Sequence, residues 1–230
     1  MSRLILLPGM GTRSPLLEPQ RRAFPTLETP AWVEARSGES LADYAKRLLE
    51  TIDTTPPFYL GGISFGGMVA LEMARHCEPE AVLLIGSARS GQQVPRAIRT
   101  SARVGQRMPM WALALRRRWL IAAHFAWRER FNRHHRAQLS RAVRGADPEL
   151  FRWTGGAIAR WHFEHEIAAP IHQIHGDKDW ILQPPKAGAG VELIAGGRHM
   201  INLTHADHVN DFIRRHAPEV AHEFHGEREA

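Results

Sequence analysis

Short apolar runs that stop at glycine or proline recur along the chain, and between them apolar residues fall at helical spacing. Arg3–Leu7 stops at Pro8-Gly9, Phe58–Ile63 leads into a glycine-bearing turn, and residues 81–85, 171–175 and 191–195 are bounded in similar ways. Runs that are apolar at successive positions read as strands buried on both faces. Residues 31–35 carry a weaker form of the pattern and read as a further strand. Residues 15–23 read as a short helix. Ser40 offers an N-cap to a second, with apolar positions Leu41, Tyr44, Ala45, Leu48, Leu49 and Ile52, closed off by Pro56 and Pro57. Residues 69–76 and 204–216 read as two more. Strands alternating with helices predict an α/β fold: a mostly parallel central sheet with helices on both faces.

One stretch breaks the alternation. Residues 92–166 contain no convincing strand, only helical patches rich in Arg and Trp. They predict a helical cap over the sheet edge, inserted into a single domain whose core is residues 1–91 and 167–230. A chain of 230 residues with 43% hydrophobic content suffices for one sizeable core. The polar stretch after Glu219 is expected to fray. No run is long and apolar enough to span a bilayer, and the first residues lack the extended apolar segment of a secretory signal, so a cytoplasmic location is expected by default. The single cysteine, Cys77, allows no internal disulfide and reads as a small buried hydrophobe.

Candidate chemistry begins at Gly62-Ile-Ser64-Phe-Gly66, which matches G-x-S-x-G. So short a pattern is weak alone, but here an apolar strand leads in and a helix leads out. That is the setting of a nucleophile elbow, a strained turn that lifts the serine oxygen clear of the sheet and sets it at a helix N-terminus. The competing reading, a phosphate-binding turn, wants a lysine or a wider glycine pattern than Phe65 and Met68 offer. A serine needs a base, usually a histidine oriented by a carboxylate. Residues 171–175 run into Gly176-Asp-Lys-Asp179, so Asp177 and Asp179 both stand past a strand end; Asp179, beyond the glycine turn, is the preferred acid, with Asp177 capping the turn. Residues 191–195 run into Gly196-Gly-Arg-His199. The chain holds 14 histidines, and His199 is singled out by its strand–loop–helix setting after an acid. Backbone amides of Met10 and Phe65 are the candidate oxyanion donors, with Gly9 allowing close approach. Gly9, Trp180 and Met200 are candidate substrate contacts. His172 and His175, three apart on a strand, point to opposite faces, and no Cys/His cluster has zinc-like spacing, so no metal and no cofactor are expected.

Together these residues resemble the α/β-hydrolase superfamily. The likeness runs over Leu4 to Gly11, Tyr59 to Met73, Ile174 to Asp179 and Gly196 to His199. Gly176 to Asp179 looks like the family's G-x-x-D acid motif, and Ser64, Asp179 and His199 fall where the family carries its triad. The resemblance implies hydrolysis of a carboxylic ester or thioester through an acyl-enzyme. The same triad also serves lactonases, C–C hydrolases and acyltransferases, and a silent member would bind a ligand or partner instead. Two departures stand out. The chain starts at what looks like the family's third strand, and its oxyanion loop reads Pro8-Gly-Met-Gly11, as in the compact thioesterase and carboxylesterase branches.

Charge bears on partners. The net charge is +6, and arginines crowd the stretch from Arg96 to Arg144, where Glu129 is the only acid and Trp111, Trp119, Phe125, Trp127 and Phe131 are interleaved. Three readings compete: a solvated basic face with its aromatics packed on the sheet, a lid that steers an acyl group borne by an acidic carrier protein or coenzyme A, and a surface that touches anionic lipid. Nucleic acid is disfavoured, because no reading motif accompanies the charge.

Overall fold

The fold is taken from a computed structural model that describes residues 2–10, 14–116, 126–144, 147–186, 188 and 190–221. Five strands, β1 (Arg3–Leu7), β2 (Phe58–Ile63), β3 (Val82–Ile85), β4 (Ile171–Gly176) and β5 (Val191–Ile194), form one sheet in chain order. Every neighbouring pair is parallel, with Leu7 opposite Gly62, Ile63 opposite Ile85, Ile85 opposite Ile174 and Gly176 opposite Ile194. All strands therefore end at the same edge.

The continuous apolar runs are explained by burial on both faces. Along β1, Ile5 and Leu7 enter one core while Leu4 and Leu6 enter the other; along β3, Val82 and Leu84 part from Leu83 and Ile85 in the same way. Helices α2 (Leu41–Leu49) and α3 (Phe65–Met73) cover the first face. Ser40 caps α2 by accepting from the Asp43 amide at 3.1 Å, as its position suggested. Every residue of α3 is buried, Glu72 included, whose carboxylate accepts from Arg75 and from the Trp161 indole, both at 2.8 Å. Helices α1 (Glu18–Ala23) and α10 (Ala206–His216) line the second face, where Phe24, Val209, Phe212 and Ile213 are buried.

Residues 31–35 form no strand, which corrects the sequence expectation. Pairing with β1 stops at a single bridge, Glu28 against Ile5. Pro30 lacks the N–H that would continue the ladder. The carbonyls beyond it turn to side chains: Val33 accepts from the Tyr44 hydroxyl at 2.9 Å and Glu34 from Arg47 at 2.8 Å.

Between β3 and β4 the regular elements among the described residues are helices, chiefly α4 (Arg96–Arg107), α5 (Met110–Arg116), the single turn α6 (Ala126–Arg128), α7 (Arg133–Arg144) and α8 (Pro148–Arg160). Helix α8 joins the first core through Leu150, Ala157 and Ile158. Trp111, Trp127 and Phe131, the described ones among the interleaved aromatics, do not pack on the sheet. Phe131 is buried beside Leu16, Leu139, Met200 and Leu203, whereas Trp111 and Trp127 are 69% and 72% exposed. Trp119 and Phe125, with Arg117 and Arg118, lie outside the described residues, as do Gly11 in the first loop and the chain beyond Ala221. Among the described residues no helix is long and apolar enough to cross a membrane. Cys77 is half-buried, and burial pushes its thiol up to about 11, so it is an inert thiol at neutral pH. Two short helices, α9 (Ile201–Thr204) and α11 (Pro218–Ala221), flank α10.

Candidate active site

Three of the five strand ends carry Ser64, Asp179 and His199, singled out in the sequence. Ser64 follows β2 directly, with φ 52° and ψ −117°, a left-handed conformation rare outside glycine. Its neighbours hold it there. The Ser64 amide donates to the Ile85 carbonyl at 3.0 Å, and its own carbonyl accepts from Ser87 Oγ at 2.6 Å and from the Gly67 amide at 3.1 Å. The flanking glycines answer to contact. A Cβ on Gly66 would run into the Leu7 and Pro8 carbonyls, and one on Gly62 into the Gly66 backbone. The start of α3 thus sits against the loop after β1.

Past β4, Asp179 has a fully buried side chain. Its Oδ1 accepts from the Ile181 and Leu182 amides at 2.8 and 3.0 Å. Its Oδ2 meets His199 Nδ1 at 2.8 Å, and His199 Nε2 meets Ser64 Oγ at 2.9 Å. With Nδ1–H given to the carboxylate, Nε2 is left to accept from the serine hydroxyl. The structure therefore brings Ser64, His199 and Asp179 into one continuous chain of hydrogen bonds.

The loops that carry the acid and the histidine are laced together. Asp177 Oδ1 accepts from the Gly196 amide at 2.7 Å, and the Lys178 amide donates to the Gly197 carbonyl at 2.8 Å. Asp177 is thereby committed to the loop and Asp179 to the histidine. Gly176 leaves room for this approach, since a Cβ there would strike Gly197 and Arg198 backbone.

The charges reinforce one another. Burial works to raise the Asp179 carboxyl, but the His199 charge and the contacts with His175 and His199 outweigh it and hold it well below the usual carboxylate range. Burial likewise works to lower His199, and the charge and hydrogen bond of Asp179, helped by the charge of Glu129, raise it above the ordinary imidazole value.

The remaining candidates are placed as follows. Gly9 and Met10 stand just past β1, and Met10 packs against the core that contains Phe65. Phe65 is the first residue of α3, so its N–H has no partner within the helix. Its ring is 5.5 Å from that of Trp32 and 6.2 Å from that of Trp153 on α8. Trp180 gives its indole N–H to Glu129 Oε1 at 2.7 Å, and the Arg128 guanidinium lies over its ring at 5.0 Å. The Met200 side chain is buried with Phe131, Leu139 and Leu203. His172 stacks on His216 at 3.8 Å, while the buried His175 stands at the other end of β4.

Two neighbours were named in the sequence but not assigned to this site. His175 Nε2 is 2.9 Å from Asp179 Oδ2, a close approach without hydrogen-bond alignment, leaving both its ring nitrogens without a hydrogen-bond partner among the described residues. Its position at a strand end was the only available signal. The other is Glu129, whose one sequence signal was being an acid among arginines.

The alpha/beta hydrolase family's sequence profile matches residues 4–221. The chain belongs to that family. Solved structures agree on the fold. Similar over nearly their whole length are a thermophilic esterase from Thermogutta terrifontis, malate-bound (16% identity, TM-score 0.73, 96% of this chain and 91% of that one), and an enol-lactonase from Burkholderia xenovorans LB400 (23%, 0.69, 95% and 92%). So is the type II thioesterase BorB of the borrelidin biosynthetic cluster (20%, 0.64, 94% and 92%). At such identities the likeness speaks for the fold alone. No curated protein matches the chain in sequence.

Proposed function

We propose that this alpha/beta hydrolase cleaves a carboxylic ester or thioester through an acyl-enzyme on Ser64. The observation that carries the reading is the unbroken path from Ser64 Oγ through His199 to the buried Asp179 carboxylate. His199 Nε2 takes the hydroxyl proton as Oγ attacks the carbonyl carbon. The Met10 and Phe65 amides receive the oxyanion. The tetrahedral intermediate collapses, and the same proton passes to the departing alcohol or thiol. Water, deprotonated by His199, then attacks the acyl carbon and frees Ser64. Asp179 stays ionised throughout; its low pKa suits it to hold one tautomer and to face the imidazolium.

A thioester borne by an acidic carrier or coenzyme A is the substrate form that the arginines favour. A groove of about 530 Å³ along α4 is lined by Arg96, Arg99, Arg103, Thr100, Gln92 and Val94. Arg96 and Arg103 are exposed, and Arg99 is turned inward onto the Val94 and Ala159 carbonyls. The neighbouring esterase, lactonase and thioesterase share the fold, so ester, lactone and thioester are the bonds to compare.

The test is a set of initial rates on p-nitrophenyl esters of increasing chain length, simple lactones and matching acyl-coenzyme A thioesters, for wild type and Ser64→Ala. Serine-dependent turnover supports the proposal. Equal rates in the two proteins contradict it. No turnover in the wild type, together with failure to label Ser64 with a fluorophosphonate, favours a ligand-binding member.

A further inference from the structure

Glu129 is a buried carboxylate for which the mechanism above has no use. It lies on the turn after α6, within the helical segment between β3 and β4, and is 3% exposed. Its Oε1 accepts from the Trp180 indole at 2.7 Å and from the His199 amide at 3.3 Å, and its Oε2 accepts from the Met200 amide at 3.0 Å. Among the described residues its hydrogen-bond partners are thus neutral N–H groups. The next residue, Arg130, is held at φ 55°, a strained conformation for a side chain of its kind, in the turn that aims Glu129 inward. Burying a carboxylate on neutral donors alone is expensive in free energy. The two amides belong to His199 itself and the residue after it, so this one side chain from a distant element grips the catalytic loop.

We propose that Glu129 is a positioning residue for His199: it fixes the backbone that carries the imidazole and sets a second negative charge beside the imidazolium formed when Ser64 loses its proton. The inference rests on the reading of Ser64 and His199 as nucleophile and base. Asp179 orients the ring from the sheet side, while Glu129 secures the loop from the helical segment. A displacement of that segment breaks its bonds to the loop, so contacts made there by a substrate are felt at the base. The groups that face this centre are Asp179 and His175 from β4 and its loop, Ser64 from the elbow, Glu129 and the Trp180-stacked Arg128 from the segment, and His205 at the start of α10.

The experiment measures the rate of Ser64 phosphonylation by a fluorophosphonate as a function of pH, beside kcat and KM on a p-nitrophenyl ester. It uses wild type, Glu129→Gln and Glu129→Asp. The probe reads the base without depending on the natural substrate. Neutral His199 is the reactive form, so the rate falls as pH drops through its pKa. Glu129→Gln keeps the size, removes the charge and turns one of the two accepting oxygens into an NH2 donor. Its acid limb is expected to move to lower pH by about half a unit to one unit, the scale of one partly screened neighbouring charge. Its plateau rate and kcat are expected to fall about tenfold, the scale of one lost charge-assisted interaction, with KM little changed. Glu129→Asp keeps the charge at shorter reach, so its plateau falls while its limb stays at the wild-type position. A Glu129→Gln limb that coincides with wild type overturns the inference. If that variant does not fold, Glu129→Asp decides alone through its plateau: a lowered plateau with the limb unmoved supports the inference, and a plateau equal to wild type overturns it. Absence of labelling in the wild type itself overturns the Ser64 reading instead, so the two failures are distinct.

Discussion

At Ser64 the backbone is bent into a conformation that serine rarely adopts, and the residues around it exist to hold it there. The relay that leaves Ser64 ends on Asp179, whose second oxygen is tied to two backbone amides, so the carboxylate is fixed before any substrate arrives. Asp179→Asn would keep the shape and present the wrong donor to Nδ1, and is expected to reduce kcat by about 10³–10⁴-fold. Steady-state rates on an activated ester check this. Because His199 is raised above 6.5 in the folded protein, kcat/KM should fall on the acid side with a limb above that value. Asp179 runs the other way. Its depressed pKa contributes stability that is complete above 3.8, the ordinary carboxylate value, and drains away as pH falls below it. Thermal melts from pH 6 down should therefore steepen for wild type relative to Asp179→Asn. Ser64, Asp179 and His199 were legible in the sequence because each follows an apolar strand at a glycine-marked turn. Glu129 was not, because its value depends on which loop its turn meets in space, and nothing at 126–130 encodes that.

At the scale of elements, the sheet was legible because β1, β2 and β3 are buried on both faces and read as nearly unbroken apolar runs, while β4 and β5 keep short apolar runs that end at glycine turns. The same signal failed at residues 31–35, where Trp32, Val33 and Ala35 are partly buried against the core without a ladder because Pro30 ends the pairing. The helix expected at residues 69–76 runs instead from Phe65 to Met73: it begins inside the glycine-rich turn, where propensity is poor and packing decides. The glycines themselves are positional. Gly66→Ala should push α3 off the loop after β1 and lower stability by about 1–3 kcal/mol. Gly176→Ala should separate the acid loop from the histidine loop, with a larger loss of kcat than of stability. Urea unfolding read beside ester turnover separates the two effects.

Across the whole molecule, parallel strands in chain order place Ser64, Asp179 and His199 at one edge of the sheet, and the helical segment between β3 and β4 lies close enough to touch the histidine loop. The excess of arginine is concentrated in that segment. If it attracts acidic acyl carriers, kcat/KM on an acyl-coenzyme A thioester should fall with added salt, while that on an uncharged ester stays nearly constant. Composition announced the charge; the inward turn of Arg99 and the exposure of Trp111 and Trp127 required the fold.

The most direct test of the central claim is the intact mass of the protein after brief exposure to a p-nitrophenyl ester and rapid acid quench, for wild type and Ser64→Ala. Wild type should gain the mass of one acyl group, located to the peptide that holds Ser64, and Ser64→Ala should gain none. An acyl group found on another residue, or turnover that survives in Ser64→Ala, would contradict the account.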